Sequence, residues 1–245
     1  DQTTADGRVF RVDMRLRPWG DPGPLAMSFD ALAHYLVSQG REWERYAWIK
    51  ARAITGQASD LAALEAITRP FVFRKYLDYG AIAAMRELHA QIRAEVARRE
   101  LAEHVKLGPG GIREVEFIAQ AFQLIRGGRD AGLRIRPTLQ VLTQLGQREL
   151  LPADSLRELA EAYDFLRRVE HRIQYLDDQQ THVLPTDCSD DPCADAADKP
   201  EGGGAGCDLA WIARTMGFDH CRDFLSALDT HRELVAQEFD TLLGP

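Results

Sequence analysis

The segment from Ile112 to Arg126 limits the possible folds more than any other part of the chain. Val115, Phe117, Ile118, Ala121, Phe122, Leu124 and Ile125 spread around a helical wheel, so a helix here is apolar over most of its circumference and has to be buried. Arg113, Glu116, Gln120 and Gln123 cross it as one narrow polar stripe at i, i+3, i+7 and i+10. Buried polar groups need partners, so the stripe meets either an internal hydrogen-bond network between helices or a wet cleft. Gly108-Pro-Gly-Gly111 in front of it reads as a hinge, and Gly127-Gly128 ends it.

Most of the remaining chain carries the same period. Ser28 caps a helix over 29–38 that Gly40 stops. A second is expected from Glu42 to Ile54, with Trp43, Tyr46, Ala47 and Ile54 on its apolar side. Lys50 and Arg52 stand near its C-terminal end, where the helix dipole favours cations. Ser59 caps a short helix over 60–67, broken by Pro70, and a long amphipathic one follows over 79–99. Two more cover Pro137 to Leu145 and Ser155 to about Asp178, and Asp208 and Asp219 open the last two. Between these, 186–207 holds six acids and Gly202-Gly-Gly204 with little to bury, the composition of a mobile surface loop. Its acids do not follow calcium-loop spacing.

The start of the chain has a different period. Phe10, Val12, Met14 and Leu16 alternate with Arg11, Asp13, Arg15 and Arg17, the pattern of a half-buried strand ended by Pro18 and a turn-rich run. One carboxylate suits a divalent cation and arginines suit phosphate, so the polar face fits a metal-bound nucleotide or phosphoryl group. The plain alternative is Asp13 salt-bridged to its own neighbours. A lone strand makes no sheet, so its partners lie in Ala5–Phe10 or before Asp1. The chain has no initiator Met and opens like a loop, which suggests a piece of a longer protein.

Composition sets the outer limits. At 245 residues, 45% hydrophobic and 28% charged, the chain suits one large soluble domain or two modest ones. A net charge of -8 argues against a nucleic-acid partner. No apolar run approaches the about 20 residues of a membrane span, and no signal peptide opens the chain, so no membrane partner and a cytoplasmic location are expected. Cys188, Cys193, Cys207 and Cys221 lack the C-x2-C knuckle of a zinc site and read as reduced thiols.

Several blocks resemble one family. Arg11-Val-Asp-Met-Arg-Leu-Arg-Pro-Trp-Gly20, Gly40-Arg-Glu-Trp-Glu-Arg-Tyr-Ala-Trp-Ile-Lys-Ala-Arg52 and Arg69-Pro-Phe-Val-Phe-Arg-Lys-Tyr76 are similar to the bifunctional glutamine synthetase adenylyltransferase/adenylyl-removing enzymes. So are Gly110-Gly-Ile-Arg-Glu-Val-Glu-Phe117 and Phe165-Leu-Arg-Arg-Val-Glu-His-Arg-Ile-Gln174, in the family's order. The wording of the fourth block resembles the N-terminal, adenylyl-removing unit rather than the ATP-dependent adenylylating one.

The resemblance implies a mainly α chain: terminal strands of a nucleotidyltransferase sheet over 1–58, then a helical bundle over 59–245 with the acidic loop. It implies a metal-dependent nucleotidyltransferase of nitrogen metabolism, in which phosphate removes AMP from adenylylated glutamine synthetase. Asp13 matches the third of three metal-holding carboxylates, serving Mg2+ or Mn2+. Arg15 and Arg17 match phosphate-binding positions, with Lys50 and Arg52 further candidates for nucleotide or phosphate. The helical domain is expected to cross the mouth of the sheet, turning Arg113, Glu114, Glu116 and Gln120 towards the Asp13 face. The motif that carries the first two carboxylates does not occur in this sequence, so the chain alone should hold metal weakly and be inactive. The other expected partners are glutamine synthetase and a PII-type signalling protein, for which the helical part could instead be a docking module.

Overall fold

A computed structural model describes residues 13–75, helical positions 83, 86, 87, 90, 91, 93, 94, 96 and 98, then 103–176, 181–186 and 208–243. The chain is mainly α. Helices α1 (Phe29–Ser38), α2 (Glu42–Lys50), α3 (Ala58–Val72), α4 (Ile112–Arg126), α5 (Thr138–Gln147), α6 (Ala153–Leu176), α7 (Asp208–Thr215) and α8 (Cys221–Leu243) follow in order. A 3-10 turn, Ala131–Leu133, leads from α4 towards α5. None of the described helices is long and apolar enough to cross a membrane.

As its sequence requires, α4 is buried on nearly every side, packed by α5, α6 and α8. Val115, Ile118 and Ala121 meet Val141, Leu142 and Leu145 of α5, Leu159 and Ala162 of α6 and Val235 and Phe239 of α8 in one core. Tyr46 and Ile49 of α2 belong to that same core. A second core gathers Ile112, Leu166, Val169 and Ile173 with Leu209, Ile212, Phe224 and Leu228. α6 runs through both, its first half in one and its second half in the other. A small third cluster, Leu32, Tyr35 and Leu36 against Leu64, Ile67 and Phe71, joins α1 to α3.

The expected strand is not found in its described half. Residues 8–12 lie outside the described residues; 13–15 have no regular structure and 16–18 bend and turn, with Met14 51% and Leu16 70% exposed. Among the described residues nothing lies alongside to pair the backbone, and an unpaired strand is unstable. The one β pairing there is an isolated antiparallel bridge between His104 and Val183.

Three helix ends also differ. α2 stops at Lys50, and Ile54 is 83% exposed, because the Arg136 guanidinium captures the Ala51 carbonyl that a longer helix would use. Trp43, expected in the core, is 37% exposed. α3 runs through Pro70 to Val72, and the buried Arg45 guanidinium caps it, donating from Nε and Nη2 to the Val72 carbonyl at 3.3 and 3.0 Å. Gly108–Gly111 is a fastened turn instead of a hinge. A Cβ on Gly110 would lie 1.9 Å from the Arg232 carbonyl oxygen of α8, and Arg232 Nε donates to Pro109 O at 3.0 Å.

The 79–99 helix is seen only at the positions given above, with Val96 buried. Most of the acidic loop, together with Cys188, Cys193 and Cys207, lies outside the described residues; Cys221 is buried at the start of α8.

Candidate functional site

The segment 13–24 is folded by its own arginines. Asp13 Oδ1 accepts from the Arg15 backbone N and Nε at 3.0 Å each, and Oδ2 accepts from Nη2 at 2.7 Å. The two side chains are 46% and 71% exposed, so this is a solvated bidentate pair. Its hydrogen bond, then its charge, holds the Arg15 guanidinium above its ordinary value. Arg17 points inward to the turn: Nε, Nη1 and Nη2 donate to the carbonyls of Gly23, Met14 and Asp21. That clamp supports left-handed backbone at Trp19 and Gly20, with φ of 62° and 63°. The Trp19 ring stands edge-on to Tyr35, 4.6 Å between centroids. Tyr35 Oη donates in turn to Glu44 Oε1 at 2.8 Å. The turn is therefore anchored on α1 and α2.

Lys50 is half-buried. Its Nζ donates to Arg136 O at 2.6 Å and to Thr138 Oγ1 at 3.0 Å. Burial lowers its pKa, partly offset by the nearby Glu116 carboxylate. Arg52 is exposed on the irregular stretch that follows α2.

The polar stripe of α4 divides along its length. Arg113 is exposed over the Phe117 ring, 5.9 Å from its centroid. Glu114, beside the stripe, is buried: Oε2 accepts from Gly110 N at 3.0 Å and Oε1 from Arg93 at 3.1 Å. Glu116 accepts from Tyr163 Oη at 3.2 Å. Gln120 is buried, and Gln123, fully buried, donates from Nε2 to Leu133 O and Ile135 O at 2.6 Å each. The structure thus brings Lys50 and Glu116 together and pairs Asp13 with Arg15. Glu114 and Gln123 belong to the internal network that the stripe allowed.

Sequence reasoning passed over Arg45, Thr138, Tyr163 and Glu170. Tyr163 reads as core from its helical spacing, and only its hydroxyl gives it a polar role. Glu170, 1% exposed on α6, has Lys106, Arg167 and His182 around it, the His182 Nδ1 lying 3.0 Å from Oε1. Its carboxylate fastens the His104–Val183 bridge to α6.

Asp13 alone does not make a divalent-cation site. Its oxygens are engaged by Arg15, and no group of three ligating side chains converges among the described residues.

Two family profiles match the chain. The one described as Glutamate-ammonia ligase adenylyltransferase covers residues 1–67, and the one described as GlnD PII-uridylyltransferase covers 86–243. The bifunctional glutamine synthetase adenylyltransferase/adenylyl-removing enzymes of Aromatoleum aromaticum and Chromobacterium violaceum are each 57% identical over 98% of this chain. That of Nitrosomonas europaea is 55% identical over 98%. The chain spans 24% of the length of each of these relatives.

Proposed function

Because the chain belongs to the family of the bifunctional glutamine synthetase adenylyltransferase/adenylyl-removing enzyme, we propose that it is part of the adenylyl-removing unit of a longer protein. Residues 1–58 bring a carboxylate–arginine segment of the catalytic domain, and residues 59–245 form the helical domain that carries it. The division of the match supports this reading: one profile covers residues 1–67, with the Asp13 segment, α1 and α2, and a different one covers 86–243, with α4 to α8. The block Gly110-Gly-Ile-Arg-Glu-Val-Glu-Phe117 favours the adenylyl-removing unit over the ATP-dependent adenylylating one.

In the longer, cytoplasmic enzyme the reaction is phosphorolysis. An oxygen of inorganic phosphate attacks the phosphorus of AMP linked to a tyrosine of glutamine synthetase. The new P–O bond makes ADP, and the tyrosyl oxygen leaves and takes up a proton. Arg15 is the exposed guanidinium suited to meet phosphate, with Arg52 a second, whereas Arg17 keeps the turn in shape. A Mg2+ or Mn2+ ion would take one carboxylate from Asp13, in competition with Arg15, and its other ligands would come from elsewhere in the longer protein.

The isolated 245-residue chain should therefore release no ADP from adenylylated glutamine synthetase and phosphate. Turnover by the chain alone would contradict the proposal that Asp13 is one carboxylate of a larger set.

A second reading is favoured by the GlnD PII-uridylyltransferase description over 86–243. The helical domain would dock a PII-type regulator or glutamine synthetase itself. Co-sedimentation of the isolated chain with each purified protein tests it, and no retention of either would remove this reading.

A further inference from the structure

The segment that carries Asp13 and Arg15 is not held by its own apolar side chains, since Met14 and Leu16 are largely exposed. Its place is set by the turn that follows. The Arg17 guanidinium donates to the Gly23 and Asp21 carbonyls on the far side of that turn, and back to Met14 O, the carbonyl between Asp13 and Arg15. The turn and the carboxylate–arginine pair are therefore one piece.

That piece is strained at Trp19. A φ of 62° is left-handed backbone, which a bulky residue adopts only where its surroundings impose it. The Arg17 clamp and an aromatic contact impose it here. The Trp19 ring meets Tyr35 edge-on, with 4.6 Å between centroids and 64° between planes. Tyr35 is buried in the cluster that joins α1 to α3, so its ring has a fixed place. Its hydroxyl donates to Glu44 Oε1 at 2.8 Å, and Glu44 Oε2 accepts from Arg41 N at 2.7 Å, where α2 begins. Both oxygens of this buried carboxylate are engaged, which ties the Tyr35 ring to α2 as well. Core packing accounts for a buried Tyr35, but not for a half-exposed Trp19 kept in left-handed backbone.

We propose that Trp19 and Tyr35 are positioning residues: through the Arg17 turn they set where the Asp13–Arg15 pair stands against the helices, without touching the reacting groups. The kinetic part of this rests on the phosphorolysis proposed above; the positioning does not.

The first test uses the 245-residue chain and the NMR order parameters of the Arg15, Arg17 and Gly20 amides. These should be about 0.85 in the unaltered chain and fall below about 0.6 in Trp19→Ala, with Tm changed by less than about 3 °C. Trp19→Phe keeps a ring against Tyr35 and should stay near the unaltered values. Tyr35→Leu keeps apolar bulk in the cluster but removes the ring, and should reproduce the fall seen in Trp19→Ala. Unchanged order in Trp19→Ala or in Tyr35→Leu, or an equal loss in Trp19→Phe, would overturn the proposal.

In the longer enzyme, Trp19→Ala should lower kcat for phosphorolysis about tenfold or more, with the KM for adenylylated glutamine synthetase within about twofold. Trp19→Phe should restore most of the rate. A kcat unchanged in Trp19→Ala would show that the reaction does not depend on where this turn holds the pair. If the unaltered longer enzyme shows no phosphorolysis at all, the functional reading fails, while the order parameters still decide whether Trp19 and Tyr35 hold the segment.

Discussion

Gln123 shows how a buried amide can hold a loop. Its Nε2 serves two carbonyls, Leu133 and Ile135, on the chain leaving α4. Gln123→Ala would leave both without their donor and open a cavity, costing about 2–4 kcal/mol in chemical denaturation. Unchanged stability would mean that water replaces the amide without loss. The polarity of this position was legible as part of the α4 stripe, but its partners were not, since a backbone carbonyl has no signature in sequence. Arg45 is the stronger case. A guanidinium 1% exposed in mid-helix contradicts every composition rule and makes sense only once the end of α3 is placed against it.

At the scale of elements, glycines and histidines decide how pieces meet. Gly110 has a φ of 67° and touches α8, so Gly110→Ala combines backbone strain with a clash on a main-chain carbonyl. It should cost more than about 3 kcal/mol, whereas Gly217→Ala, with a φ of 91° but open space around it, should cost about 1 kcal/mol. Equal losses in denaturant titrations would contradict the close approach. The glycines were visible in the sequence, and a hinge was their natural reading because nothing local reveals α8 packed over them.

The contact between 103–105 and 182–184 carries a pH dependence. Burial, then the neighbouring His182 ring, holds His104 below its ordinary pKa; burial likewise holds His182 low against the pull of Glu170. Lys106 and Arg167 add positive charge on the same side. The native state thus binds protons less readily than the unfolded one. The contribution is complete above about pH 6.5 and declines as pH falls towards the lowered native values. Amide exchange at Val105 and Leu184, which bond His182 O and Glu103 O, should quicken between about pH 7.5 and about pH 5.5 after intrinsic rates are removed. Constant protection would show that neither ring matters to the contact.

For the whole molecule, α6 is the spine: it crosses both cores, and α4 lies against it with its apolar surface covered. The helices and the burial of α4 were readable from hydrophobic period, which placed α4, α6 and α8 with nearly their observed limits, but which helices pack together was not. The alternation at 10–16 was equally clear, yet period says nothing about whether a partner strand is at hand, and the described half of that segment turns without one. If Asp13 serves the adenylyl-removing chemistry proposed above and not the adenylylating chemistry, one substitution separates the two activities. The direct measurement is Asp13→Asn in the longer enzyme, followed in both directions with glutamine synthetase. Phosphate-dependent release of ADP from the adenylylated protein should fall to a small residue while ATP-dependent adenylylation continues. Loss of adenylylation with phosphorolysis intact would contradict it.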